Sequence, residues 1–169
     1  MTLHSDLLEQ AFHLAMRERK KPRQASLRRS VSASYYALFH LLIDAAIKRA
    51  FPGEDRAPLR HYLARTISHS DIKNLAQDFS RASVPENLRP VLGIDTLDER
   101  LVFVAKAFIQ LQNARLDADY NLSKKFVKSK VIELTFMTKK AFDCWEEVNK
   151  IIEADVFLFR MFNLKMLRK

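Results

Sequence analysis

The stretch Leu97-Asp-Glu-Arg-Leu-Val-Phe-Val-Ala-Lys-Ala-Phe-Ile-Gln-Leu-Gln-Asn-Ala-Arg-Leu-Asp-Ala-Asp-Tyr120 decides the fold class. Leu97, Leu101, Val104, Phe108, Leu111, Arg115 and Ala118 recur at alternating four- and three-residue spacing. That period puts all of them on one side of an α-helix. Every member is apolar except Arg115, which stands where a leucine is expected. A charge on an inward stripe needs a partner: a carboxylate, another subunit or a bound anion.

The same helical period runs outward from this stretch in both directions, and no segment alternates as a strand does. A first helix is expected over residues 3–20, with Leu3, Leu7, Leu14 and the neighbouring Phe12 facing in. Pro22 breaks it and suits the first turn of a second helix over 23–50, which Phe51-Pro-Gly53 ends. A third helical region covers 58–82, with a break invited at 68–70, where Ser70 and Asp71 can cap a restart. Residues 84–93 hold Pro85 and Pro90 and read as a loop. Thr96-x-x-Glu99 is a capping box that opens the helix ending near Tyr120. After a polar link at 121–125, a last helix is free of Pro and Gly to the end of the chain. Its inward stripe is Val131, Leu134, Thr138, Ala141, Trp145, Val148 and Ile152. The expectation is an all-α fold: one domain over residues 1–169, a helical bundle of about five helices. Its wide apolar helix faces also suggest a homodimer.

Length and composition narrow the function. The 169 residues suffice for a single core, and 48% are hydrophobic, as in a folded soluble domain. The longest apolar stretch, 37–47, contains His40 and Asp44 and is too short for a membrane span. No secretory signal pattern opens the chain, and the single Cys144 suits a reducing, cytoplasmic compartment. Gly53 and Gly93 are isolated, so neither a phosphate-cradling glycine loop nor a dinucleotide fingerprint can be built. The five histidines show no close ligand spacing and Cys144 has no paired cysteine, so neither a metal site nor a cofactor is expected. The net charge of +9 favours polyanionic partners.

Three groups of polar residues could carry chemistry. Tyr36, His40 and Asp44 stand in one row of the second helix at i, i+4 and i+8. Asp44 could hold the His40 ring as a base or a pH-sensitive hydrogen-bond donor, or His40 could be a core histidine satisfied by Asp44 or a backbone carbonyl. Arg115 and Asp119 are an i, i+4 pair. Arginine before aspartate is the weaker order, worth only about 0.2–0.5 kcal/mol, which argues for a further role in gripping a phosphate or locking an interface. Arg17, Arg19, Lys20, Lys21, Arg23, Arg28 and Arg29 bracket the first turn, with Lys124, Lys125, Lys128 and Lys130 as a second patch. They track a phosphate backbone or form a solvated face; Arg23, Arg28, Arg29, Lys124 and Lys125 are the candidates for nucleic-acid contact. Residues 156–169 are apolar with interspersed cations and read as a terminal helix covering the bundle, or as a membrane or partner surface.

Arg29-x4-Ser34-Tyr-Tyr-Ala-x-Phe-His40, followed by Leu111-Gln-x2-Arg115-x2-Ala-Asp-Tyr120, resembles the HEPN (higher eukaryotes and prokaryotes nucleotide-binding) family over residues 5–150. The resemblance implies an up-and-down helical bundle that usually dimerises, with roles in RNA cleavage, toxin–antitoxin pairs or defence. Active members of that family carry an arginine, a polar residue and then a histidine, and cut RNA without a metal. By this resemblance Arg115 is the arginine, Leu116 replaces the polar residue, and Tyr120 fills the histidine slot. A tyrosine with an ordinary pKa of about 10 is a poor base at neutral pH. His40 is the substitute if the bundle brings the second and fourth helices together. Some members work beside a nucleotidyltransferase that modifies a tyrosine near this motif, and Tyr120 is the corresponding position. The reading is therefore an RNA- or partner-binding protein. Its alternatives are a metal-independent endoribonuclease using Arg115, Tyr120 and His40, and a protein-binding antitoxin or adaptor. Tyr36, Asp44 and Asp119 complete the polar cluster in each case.

Overall fold

The computed structural model describes residues 2–162, and they are all-helical. Eight α-helices follow one another: α1 Leu3–Met16, α2 Gln24–Ala50, α3 Ala57–Ala64, α4 His69–Phe79, α5 Arg89–Leu92, α6 Glu99–Tyr120, α7 Lys128–Val148 and α8 Ile152–Arg160. Long-range hydrogen bonds give the direction of the long ones. Gln24 at the start of α2 meets Phe126, just before α7. Arg49 at the end of α2 meets Asn149, just after α7. These two helices therefore run parallel. Arg28 near the start of α2 reaches Ala118 and Asn121 at the end of α6, so α6 runs the other way. His4 lies edge-on to Phe142 and Phe12 to Phe136, which sets α1 antiparallel to α7. The result is an up-and-down four-helix arrangement of α1, α2, α6 and α7, with α3, α4, α5 and α8 as shorter covering pieces.

Helix α2 sits at the centre because it is buried on nearly every side, including the run from Ser30 to Tyr35. Its serines make this possible by satisfying their hydroxyls internally. Ser30 donates to the Ala11 carbonyl at 2.8 Å, Ser34 to the Thr135 hydroxyl at 3.4 Å, and Ser26 to Glu18 at 2.9 Å. Small hydroxyl side chains also let α1 and α7 come close. The buried face of α1 is accordingly Leu8, Ala11 and Ala15. This corrects the expected face: Leu3 is exposed, while Leu7, Phe12 and Leu14 are only half-buried. A tight crossing over α2 needs alanines, not leucines, at the contact. By length and composition α2 could also cross a bilayer, with mean hydropathy 1.3 over 18 residues; 67% of that window is buried in the bundle. The expected apolar stretch at 37–47 was shorter because the near-neutral serines upstream interrupt it.

The α6 stripe packs as its spacing dictates. Leu101, Val104, Phe108 and Leu111 are fully buried, with Leu97 and Ala118 nearly so. Several boundaries differ from expectation. The cap of α6 is Asp98, which accepts from the Arg100 amide at 2.9 Å; Thr96 instead forms an isolated antiparallel bridge with Ser83. Ser68, not Ser70, caps α4 by accepting from the Asp71 amide at 3.1 Å. The proline-bearing loop contains the one-turn α5, which Gly93 closes in the left-handed region at φ 67°.

The uninterrupted last helix is broken at 149–151 without Pro or Gly. The Asn149 side-chain Nδ2 donates back to the Glu146 carbonyl at 2.8 Å, offering the backbone an alternative to helix. Arg49 then takes the Asn149 carbonyl and pairs with Asp155 in the first turn of α8. Ile152 is left exposed by this kink. Residues 163–169 of the expected terminal helix lie outside the described residues.

The guanidinium of Arg28 closes the C-terminus of α6. It donates to Ala118 at 2.8 Å and Asn121 at 2.9 Å, and also reaches the Lys124 carbonyl. Charged donors on otherwise open helix carbonyls are worth more than neutral ones. Arg28→Met keeps the aliphatic stem and removes the donors. The expected loss is about 1.5–3 kcal/mol in urea unfolding, with an unchanged m-value.

Candidate functional site

Three helices meet around Arg115. α2 contributes Ser32, Tyr35, Tyr36 and Phe39; α6 contributes Gln112, Arg115, Asp119 and Tyr120; α4 contributes His69, its first residue. The Arg115 side chain is only 14% exposed. Its guanidinium carbon lies 5.4 Å from the ring centres of Tyr36 and Tyr120 and 5.9 Å from that of Tyr35. An aromatic enclosure of this kind stabilises a desolvated cation through the ring faces. Nη2 donates to the Tyr36 hydroxyl at 2.6 Å. Nε lies 2.7 Å from Asp119 Oδ2, but its N–H is not aimed at that oxygen, so the contact is an ion pair without a directed bond. Asp119 Oδ1 accepts from Ser32 at 2.6 Å, which anchors the carboxylate to α2. Among the described residues Nη1 has no hydrogen-bond acceptor. The cation is thus neutralised and enclosed, with one edge still able to donate.

The histidine next to this cation is His69, which sequence reasoning passed over. Its Nδ1 is 2.6 Å from the Tyr35 hydroxyl, and its ring stacks on Phe39 at 4.1 Å and lies 5.9 Å from Tyr36. Burial pushes the Tyr35 phenol well above its usual range, against the opposing pull of Arg115. The phenol therefore keeps its proton, and the tautomer of His69 decides which of the two groups donates in this hydrogen bond. Burial lowers the basicity of His69, and the nearby Arg115 and His40 lower it further. Gln112 donates to the His69 carbonyl at 3.2 Å, while its own Oε1 is buried without a donor.

His40 stands differently from expectation. Its ring stacks near Tyr36 at 6.2 Å, but Asp44 does not hold it; that carboxylate accepts from Lys48 one turn on, at 2.7 Å. The Lys48 ammonium is an i+4 neighbour and outcompetes a neutral imidazole for the charge. Burial lowers the His40 pKa, with His4 adding to the effect. Sequence periodicity could not have found His69, because its partners come from α2, more than thirty residues away.

The two basic segments converge at one end of the bundle. Gln24 clips the α6–α7 link by donating to and accepting from the Phe126 backbone, both at 2.8 Å. Lys128 donates to the Glu18 carbonyl at 2.8 Å, and the Glu18 carboxylate lies 4.0 Å from both Arg17 and Arg23. Arg23, Lys124 and Lys125 are exposed there, although Lys124 lies 3.6 Å from Asp117. Arg28 has its donors taken up by helix carbonyls, as described above. Arg29 is exposed and lines a cleft of about 380 Å³ whose wall includes Ser32 and Tyr36, so that cleft abuts the Arg115 enclosure. Among the described residues no group of three or more His, Cys, Asp and Glu side chains is gathered to hold a metal. Comparison of the chain with protein-family models, curated proteins and solved structures finds no match.

His4, His40 and His69 all have folded pKa values below the ordinary 6.5. Protonation therefore opposes folding: stability is full above about pH 6.5 and is lost as the pH falls through the lower folded values. Thermal unfolding between pH 8 and 5 is expected to be flat at first and then to decline. His69→Gln should lessen the decline, and a slope equal to the parent's would remove His69 from this account.

Proposed function

We propose that this chain is an RNA- or partner-binding protein of HEPN-like type, acting as a cytoplasmic homodimer in a toxin–antitoxin or defence setting. The observation that carries the reading is the enclosed Arg115, whose Nη1 edge remains a free donor beside a cleft containing Arg29 and an end rich in Arg and Lys. A phosphate could bind that edge through charge-assisted bonds while the surface cations track a backbone. Exposed Leu116, Tyr120 and Leu122 beside the same helix end suit a protein neighbour. Tyr120 is 69% exposed, so a cognate nucleotidyltransferase could reach its hydroxyl.

Catalysis is the second reading, and His69 is the observation that favours it. A metal-independent endoribonuclease needs a base near the arginine, and His69 is largely neutral at pH 7. Against it, Nδ1 is engaged by the Tyr35 hydroxyl, so that nitrogen must exchange partners before it can serve a substrate. Binding therefore has the better support.

Incubation with structured and single-stranded RNA in EDTA separates the readings. RNA retention without cleavage, weakened in Arg115→Ala of parental melting temperature, is the expected result. Cleavage lost in Arg115→Ala and His69→Gln would establish the nuclease instead. No RNA affinity in either form would leave the protein-binding antitoxin or adaptor. Replacing Arg23, Lys124 and Lys125 together by Ser should reduce the slope of log K against log salt by about 2, since each phosphate contact contributes roughly 0.7–0.9.

A further inference from the structure

The other end of α2 carries a separate cavity. It has a volume of about 440 Å³ and lies between the start of α1, the last turns of α2 and α3. Its floor is apolar, made by Ile43, Ile47, Ala57 and Ala64, and its rim holds His4, His40, His61, Lys48 and Arg60. Asp44 is the sole acid among its lining residues. We propose that this pocket binds a small organic carboxylate with an apolar or aromatic body.

The volume falls in the range of small-molecule sites, and an apolar floor with a few convergent polar groups is their usual composition. The charges select the head group. Lys48 and Asp44 neutralise each other at 2.7 Å, which leaves Arg60 as the fixed cation without a carboxylate. Arg60 Nη1 is held by the carbonyls of Phe51 and Gly53, so the guanidinium is anchored before any ligand arrives. Its Nε and Nη2 have no acceptor among the described residues. That edge is the one a carboxylate engages with two parallel bonds.

The imidazoles add a reserve of charge. Burial lowers the pKa of both His4 and His40, His4 lowers that of His40 further, and the other charges near His4 are Asp44, Lys48 and Asp6. An anion in the pocket reverses that balance by favouring the imidazolium forms. The Thr2 hydroxyl, at the cap of α1, bonds to the Ser5 side chain rather than to a first-turn amide, so those amides add further donors near the rim. These features need neither the Arg115 enclosure nor the RNA reading to be correct.

The test uses the full chain and 4-phenylbutyrate, with 4-phenylbutanamide as its uncharged counterpart. Imidazole proton resonances report on His4, His40 and His61 directly. The expected result is a saturable shift of all three below about 5 mM with the carboxylate alone, tightening as the pH is lowered from about 8 to 6. Arg60→Gln should weaken this at least tenfold. Because Arg60 also holds backbone carbonyls, Ala57→Phe serves as a second variant that fills the floor and leaves the arginine in place. No saturable shift, an equal response to the amide, or undiminished binding in Ala57→Phe would overturn the proposal.

Discussion

A helix buried on nearly every side is the constraint around which this molecule is built. α2 cannot present one greasy face and one wet face, because α1, α6, α7 and α8 surround it. A leucine-rich helix in that place would bury enough surface but would hold its neighbours at leucine distance. The serines at 26, 30, 32 and 34 solve a different problem: they keep the crossing close and consume their own hydroxyls. Ser32 links this packing device to the polar centre, since its hydroxyl anchors the carboxylate that faces Arg115. The central helix thus sets both the spacing of the bundle and the position of its buried charge.

The second organising feature is the use of arginine as a clasp on helix ends. Arg28 closes α6, Arg49 closes α7 and pairs with α8, and Arg60 holds the carbonyls that follow α2. Helix C-termini leave carbonyls without partners, and a guanidinium can serve several at once. A strongly basic composition therefore overstates how much positive charge faces outward. What is left for a polyanion at the α1–α2 end is Arg17, Arg19, Lys20, Lys21, Arg23 and the lysines of the α6–α7 link. The fold brings these together from segments a hundred residues apart.

The helical class and the central stripe of α6 were legible because both depend on local period, and Arg115 stood out for interrupting that period. The enclosure was legible in part: Tyr36, Asp119 and Tyr120 share helices whose register can be counted. Tyr35 and His69 were not, because their pairing joins a mid-helix phenol to the first residue of a helix that follows a loop. The Asp44–His40 pairing failed for a related reason. Spacing permits two partners for Asp44, and only the stronger cation one turn on decides between them. The break after α7 escaped because no Pro or Gly marks it; an asparagine amide and a distant arginine produce it together. The tight face of α1 escaped because the small residues of its neighbour, not its own leucines, determine the contact.

The grip of Arg28 has a dynamic consequence. Helix ends ordinarily fray, and their last amides exchange with solvent through openings far smaller than global unfolding. The last turn of α6 carries Ala118, Asp119 and Tyr120, and α2 holds its carbonyls from the side. Opening that turn means releasing a helix at the centre of the core. Amide exchange there is therefore tied to the cooperative opening of the bundle, and the polar enclosure that shares this turn inherits the rigidity of the whole.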